Sequence, residues 1–425
     1  MIPSCPFWRP IGMWAAALAC FGLVAVITAR SIAGDWPQIL GPTRDGRAVN
    51  EPAIDPWGAS KPAVLWSSRL GEGFAGPAVA GERVVVFHRV GPMERVEARN
   101  AHNGDLLWQA DFPASYRGGV NPDTGPRCVP LIHGDRVFVF GAAGDLHCIH
   151  LTDGKKLWSR DTQSEFDVRE GYFGAGSTPI VADNKLLLNV GGRAAGLVAF
   201  DLEYGNVVWK GTDEGASYSS PTSARIDGED YVFFVTRLNA LGVDPRDGRV
   251  RFIFPFGRRG PTVNAAAPLV VDNQLFVSAS YGTGSQWTQI RDGKAKTVWA
   301  NDETMSSQYS TCVYHEGFFY GTHGREDVGV AELRCFEAQS GKVQWREAGF
   351  GVASQILVRG RLLILTTEGT LILAGASPAA FRPLAQAQIS TSITRALPAL
   401  SNGRFYFRDN NGREGTLRCL NLSGE

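Results

Sequence analysis

The chain has 425 residues with 42 Lys and Arg against 42 Asp and Glu, so no net field steers it toward nucleic acid or an anionic membrane surface. Its 50 glycines and 10% aromatic content suit many tight turns between packed strands. Of 7 cysteines, Cys5 and Cys20 lie near the N-terminus; Cys128, Cys148, Cys312, Cys335 and Cys419 are an odd set that cannot pair completely, so no disulfide framework is expected.

In chain order, Arg9 precedes an apolar segment from Ile11 to Ile27, and Ser31-Ile32-Ala33 offers the small residues a signal peptidase reads. Residues 1–33 are therefore expected to be a signal peptide, or an N-terminal anchor if uncleaved. Spanning a bilayer takes about 20 apolar residues, more than this segment has, which favours cleavage. Residues 34–62 open with Asp35-Trp36-Pro37-Gln38 and are punctuated by Pro and Gly; they are expected to run across the outside of the domain, anchored by Trp36.

Residues 63–425 repeat one unit, seen best from Gly176 to Trp209. A small-residue strand with Pro179 is followed by the Asp183-Asn184 turn, the apolar run Lys185 to Val190, a third run from Gly196 to Leu202, and Val207 to Trp209 after a Gly205 turn. Short runs separated by such turns predict antiparallel strands. First strands align on Pro77, Pro130, Pro179, Pro221, Pro268, Cys312, Gln355 and Pro398, at intervals of 42 to 53 residues. Four strands at this period predict a β-propeller, one blade per unit.

Residue choice supports this geometry. Small residues such as Ser219-Ser220 and Ala265-Ala266-Ala267 suit innermost strands that converge on an axis, where an edge proline costs no ladder hydrogen bond. Second strands such as Val137 to Phe140 are apolar on both faces, as strands sandwiched between neighbours must be. Units close with an aromatic, Trp108, Trp158, Trp209, Phe252, Trp299 and Trp345, placed to fill the widening gap between blades. The last unit lacks a fourth strand and Ala63 to Trp66 supplies a spare one, predicting eight blades closed by an N-terminal strand.

The pattern of small residues, Pro, apolar run, Asp, Gly turn and Trp, clearest in Gly196 to Trp209 and Leu333 to Trp345, resembles the propeller repeats named after pyrroloquinoline quinone (PQQ) dehydrogenases, from Ala63 to Leu422. The resemblance implies the fold. The same repeat occurs in quinone-dependent alcohol dehydrogenases and in non-catalytic propellers such as outer-membrane protein assembly factor B, and the Trp36 to Gly46 opening resembles exported propellers of planctomycete-type bacteria. A dehydrogenase of this kind implies vicinal cysteines, a Ca²⁺ site and an aspartate base, but no two cysteines here are adjacent and no Cys-x-x-Cys-His haem site exists. Gly-x-Ser-x-Gly, His-Glu-x-x-His and zinc-type cysteine spacing are also absent.

What remains is a set of polar residues in the loops that a propeller gathers on one face. Loops entering first strands carry Arg127, Arg169, Tyr172, Tyr218, Asn264, Tyr309 and Arg395; loops between second and third strands carry Tyr281, His323, Arg325 and Glu326. Together they predict an Arg- and Tyr-rich funnel suited to a polar ligand or a peptide segment. Each is equally of a type that ties neighbouring turns together. The expected function is an exported, non-catalytic module in the periplasm or cell envelope that binds a protein or polymer through this face. The alternative is a divergent dehydrogenase with PQQ and Ca²⁺. Neither involves nucleic acid, and the membrane enters only through the N-terminal segment, if uncleaved.

Overall fold

The computed structural model describes Met1 and residues 34–58, 61–168, 171–260 and 262–423; the expected leader lies outside them. Eight four-stranded antiparallel sheets follow one another as the blades of a propeller. Blade 1 runs from Ala78–Ala80 to Leu106–Pro113, and blades 2 to 7 repeat its meander. Blade 8 takes three strands from the C-terminal end, Ala399–Ser401, Arg404–Asn410 and Gly415–Asn421, and its outer strand from Val64–Leu70, with Trp66 opposite Cys419. Among the described residues no helix is long and apolar enough to cross a membrane.

The apolar cores lie between blades. Phe138, Cys148 and Trp158 of blade 2 share one cluster with Leu186, Leu188 and Phe200 of blade 3, and Leu197 and Ala199 on the other face of blade 3 pack with Val232 and Leu241 of blade 4. A blade is one sheet thick, so each face is buried only by a neighbour.

Tryptophans of the outer strands fix that contact. The Trp158 indole donates to the Leu202 carbonyl of the next blade at 3.2 Å and lies on Gly205. The same arrangement joins Trp66 to Ala101 and Gly104, Trp108 to Leu151 and Gly154, Trp209 to Pro245 and Gly248, and Trp299 to Ala338 and Gly341. Phe252 occupies the equivalent place in blade 4 without an indole donor.

Inner strands differ from the sequence expectation in length. The strand of blade 3 is only Ile180–Ala182, beginning after Pro179. The residues before it bond sideways around the axis instead of along a ladder. Thr178 N donates to Ser220 Oγ at 2.9 Å, Ser219 Oγ to the Ala266 carbonyl at 2.8 Å, and Ala267 N to Thr311 Oγ1 at 2.9 Å.

Residues 34–58 are anchored by Trp36, as expected. They cross the end of the propeller where first strands turn into second strands. Trp36 is buried and exchanges backbone hydrogen bonds with Val79 of blade 1, Pro37 accepts from Ile132 N of blade 2, Gly46 and Ala48 bond Leu357 of blade 7, and the Glu51 carboxylate caps Asn402 N and Gly403 N of blade 8 at 2.9 and 2.8 Å. From this strap Arg44, 3% exposed, donates to the carbonyls of Thr178, Pro179 and Pro221 at 3.2, 2.8 and 2.9 Å. Burial pulls its pKa down to about 9.

Two outcomes follow. Gly205 has φ +72, and a Cβ there would lie 2.6 Å from the Trp158 ring, so Gly205→Ala is expected to lower stability by about 2–4 kcal/mol in urea unfolding. Arg44→Met leaves three buried carbonyls without donors, and a loss of about 2–4 kcal/mol is expected by the same measurement.

Candidate functional site

The face opposite the strap carries the loops that enter first strands and those between second and third strands. At its centre Phe74 lies between two guanidinium groups, with Arg395 5.1 Å and Arg127 5.9 Å from the ring centroid. Arg395 also lies over the Tyr309 ring at 5.5 Å, and its Nη2 donates to Glu326 Oε2 at 2.8 Å. The Tyr309 hydroxyl donates to the same oxygen at 2.7 Å, so Arg395, Glu326 and Tyr309 form one unit drawn from blades 6 and 8. Burial, then the Glu326 charge, pushes the Tyr309 pKa up; for Arg395 burial acts downward, but Tyr309 and Glu326 outweigh it and the net shift is upward.

Arg127 donates to the carbonyls of Gly125 and Asp123, and its Nη1 is 3.6 Å from Asp123 Oδ1. Asp123 is itself buried, accepting from Gly73 N at 3.0 Å and Asn410 Nδ2 at 2.8 Å. Tyr218 accepts from Phe173 N at 2.8 Å, and burial raises its pKa to about 12. It borders a cavity of about 530 Å³ across blades 2 to 4, together with Gln163, Ser177 and Arg193.

The remaining candidates separate. Asn264 is 2% exposed and its amide donates to the Thr236 carbonyl at 2.8 Å, so it holds adjacent loops together below the surface. Tyr172 is exposed, and its carbonyl accepts from Val120 N. Arg169 lies outside the described residues. His323 and Arg325, expected in a loop, are strand residues of Phe318–Arg325, with His323 opposite Glu332. Arg325 stacks on Tyr281 at 4.3 Å and pairs with Asp327. Arg325 borders two cavities, one of about 590 Å³ between blades 5 and 6 and one of about 390 Å³ bounded by Glu326, Glu368 and Ile393.

Some contributors escape sequence reading. Phe74 follows a Gly-Glu-Gly run and looks like any loop aromatic. Glu94, behind Arg127, is buried in a third strand whose sequence, Met93–Asn100, carries charges where other blades are apolar; that irregularity was its only signal. Its Oε1 accepts from Ala142 N of blade 2 at 2.9 Å. Burial raises its pKa to about 7, with Asp145 adding to the rise and Arg89 and Arg127 opposing it.

The described cysteines are free and buried, and burial raises the Cys128 thiol to about 11 and those of Cys148, Cys312, Cys335 and Cys419 to about 12, which makes them inert packing groups. Among the described residues no three His, Cys, Asp or Glu side chains gather as metal ligands, and Glu326 is committed to Arg395 and Tyr309.

Residues 92–347 match a family described as outer membrane protein assembly factor BamB. Tetrathionate hydrolase of Acidithiobacillus ferrooxidans is 22% identical over 63% of this chain and 53% of its own length. Quinohemoprotein alcohol dehydrogenase ADH-IIG of Pseudomonas putida is 32% identical over 29% of this chain and 18% of its own. This chain thus spans about half or less of the curated relatives it matches. The crystal structure of BamB from Moraxella catarrhalis superposes with a TM-score of 0.62 at 14% identity, covering 86% of this chain and 99% of that one, which is a likeness of fold.

Glu94→Gln isolates the buried carboxyl. Its folded pKa of about 7 lies above the ordinary carboxyl value of 4.5, so the stability that the protonated form contributes is present at low pH and lost as pH rises from 4.5 to 7. Above pH 7 the variant is expected to be the more stable by about 1–3 kcal/mol, with the difference vanishing near pH 4.5, as read from Tm against pH.

Proposed function

The chain belongs to the PQQ-like propeller family described as outer membrane protein assembly factor BamB, and on that premise we propose that it is an exported binding module that seats a protein or polymer segment of the cell envelope on its loop face without transforming it. One observation carries this reading: at the mouth the titratable groups neutralise one another. Glu326 holds Arg395 and Tyr309, and Arg127 is spent on two carbonyls and Asp123. A carboxylate tied to a guanidinium and a phenol is a poor general base, whereas a surface held rigid by such bonds loses little entropy on binding. The strap and Arg44 close the opposite end of the axis, which suits a blind seat better than a conduit.

A second reading, a divergent PQQ-dependent dehydrogenase oxidising an alcohol or sugar, is favoured by the stretch that is 32% identical to a quinohemoprotein alcohol dehydrogenase.

The two readings part in a paired assay. Immobilised protein is expected to retain an envelope component from a membrane extract and to bind it at least about tenfold more weakly as Arg395→Gln, a loss of about 1.4 kcal/mol, with Tm checked for both forms. PQQ with Ca²⁺ is expected to give neither a stoichiometric absorbance change nor dye reduction with alcohols. A Ca²⁺-dependent quinone signal, or capture indifferent to Arg395, overturns the binding reading.

A further inference from the structure

The cavity between blades 5 and 6 has its own chemistry, apart from the axial cluster. Tyr281 sits at its wall with φ +65, a left-handed conformation that costs a bulky residue about 1–2 kcal/mol. That turn presents the phenol ring to Arg325, whose Nε and Nη2 are taken by Asp327. Its Nη1 has no hydrogen bond among the described residues and remains free to donate.

The next residue, Gly282, lies against the Arg258 guanidinium. A Cβ at 282 would fall 2.9 Å from Arg258 Nη1, and with φ +72 the position favours glycine. Arg258 is exposed and has no carboxylate partner among the described residues. Its loop is held by Arg237, which donates to the Arg258 carbonyl at 2.7 Å, to the Gly260 carbonyl at 2.6 Å and to Thr262 Oγ1 at 3.1 Å. The charged side chains that line the cavity are Arg325 and Asp302, and the Arg258 guanidinium stands at its edge against Gly282.

Two further features narrow the ligand. His323 Nδ1 is buried in the cavity wall with no hydrogen-bond partner among the described residues, and burial with the Arg334 charge lowers the ring pKa to about 4, so a neutral imidazole offers one hydrogen bond there at neutral pH. At the lip Val328 and Val330 are 56% and 68% exposed. Paired apolar side chains beside the Arg258 guanidinium, which has no carboxylate partner among the described residues, and the open Nη1 of Arg325 match a carboxylate-bearing peptide with apolar neighbours. The Tyr281 face that would carry a sugar ring is taken by Arg325, so an acidic glycan has less to stack on.

We propose that the cavity between blades 5 and 6 is a docking site for an acidic peptide segment of a partner protein, with Arg258 and Arg325 pairing its carboxylates, His323 bonding its backbone, and Val328 and Val330 covering its apolar side chains. The proposal rests on the binding reading of the loop face and adds the place and chemistry of the partner.

The test is fluorescence anisotropy with a labelled peptide that alternates Glu or Asp with Leu or Val, at low salt where exposed charges are little screened. Saturable binding is expected, weakened at least about tenfold by Arg258→Gln, by Val330→Asp, and by Gln and Asn in place of the acidic peptide residues. Arg258 and Val330 are exposed, so unchanged Tm for both variants separates lost binding from lost folding. Peptide affinity unchanged in Arg258→Gln sinks the proposal, as does a uronate polymer that binds the cavity more tightly than the peptide. The two readings fail separately. Loss of capture with Arg395→Gln alone, with peptide affinity indifferent to Arg258, leaves the axial face in use and removes this site; peptide binding lost with Arg258→Gln while envelope capture ignores Arg395 does the reverse.

Discussion

A blade one sheet thick has two apolar faces and no interior, and the rest of this structure follows from that constraint. Leu186 and Leu188 are buried on one side of blade 3 and Leu187 on the other, each against a different neighbour, so removing either neighbour exposes a row of aliphatic side chains. A ring is the arrangement in which every blade has two neighbours, and the pairing of Val64–Leu70 with Gly415–Asn421 completes it with strands from both ends of the described chain. The indole-to-carbonyl bonds add direction to a contact that apolar packing alone leaves free to slide.

Closing eight such units leaves an axial space, and the protein fills its two ends differently. Toward the strap, inner-strand prolines give up ladder bonds, hydroxyls of Thr178, Ser219, Ser220 and Thr311 bond the neighbouring blade instead, and Arg44 satisfies carbonyls left facing the axis. The guanidinium is buried with carbonyl oxygens and no carboxylate, a costly placement that its hydrogen bonds offset. Toward the loops, Arg127, Arg395, Phe74, Tyr309 and Glu326 form a fixed polar and aromatic mouth.

That mouth shows where the loops of a shared fold place their chemistry. The described cysteines are buried packing groups, the acidic residue at the centre is tied by two donors, and off-axis Arg325 pairs with Asp327 while Arg258 has no carboxylate partner among the described residues. Function on this scaffold lives in its loops.

The sequence by itself determined the strand count, the blade boundaries and the inter-blade tryptophans, because each depends on periodicity and turn chemistry within some forty residues. It also named most of the loop residues that reach the mouth. Their pairing was invisible: Arg395 and Glu326 are 69 residues apart and meet only because the closed ring lets the loops of blades 6 and 8 reach each other at the mouth. Nor did the residue types announce that Asn264 would be consumed by backbone carbonyls while Arg258 stayed free, since both sit in polar loops. The path of Arg44 was decided at long range, because a cation in a Pro- and Gly-rich segment looks solvated until blades 3 and 4 supply the carbonyls that hold it. Local hydrogen-bonding preference is written in neighbouring residues; the partner that satisfies a charge is set by which distant loops the closed ring brings within three ångströms.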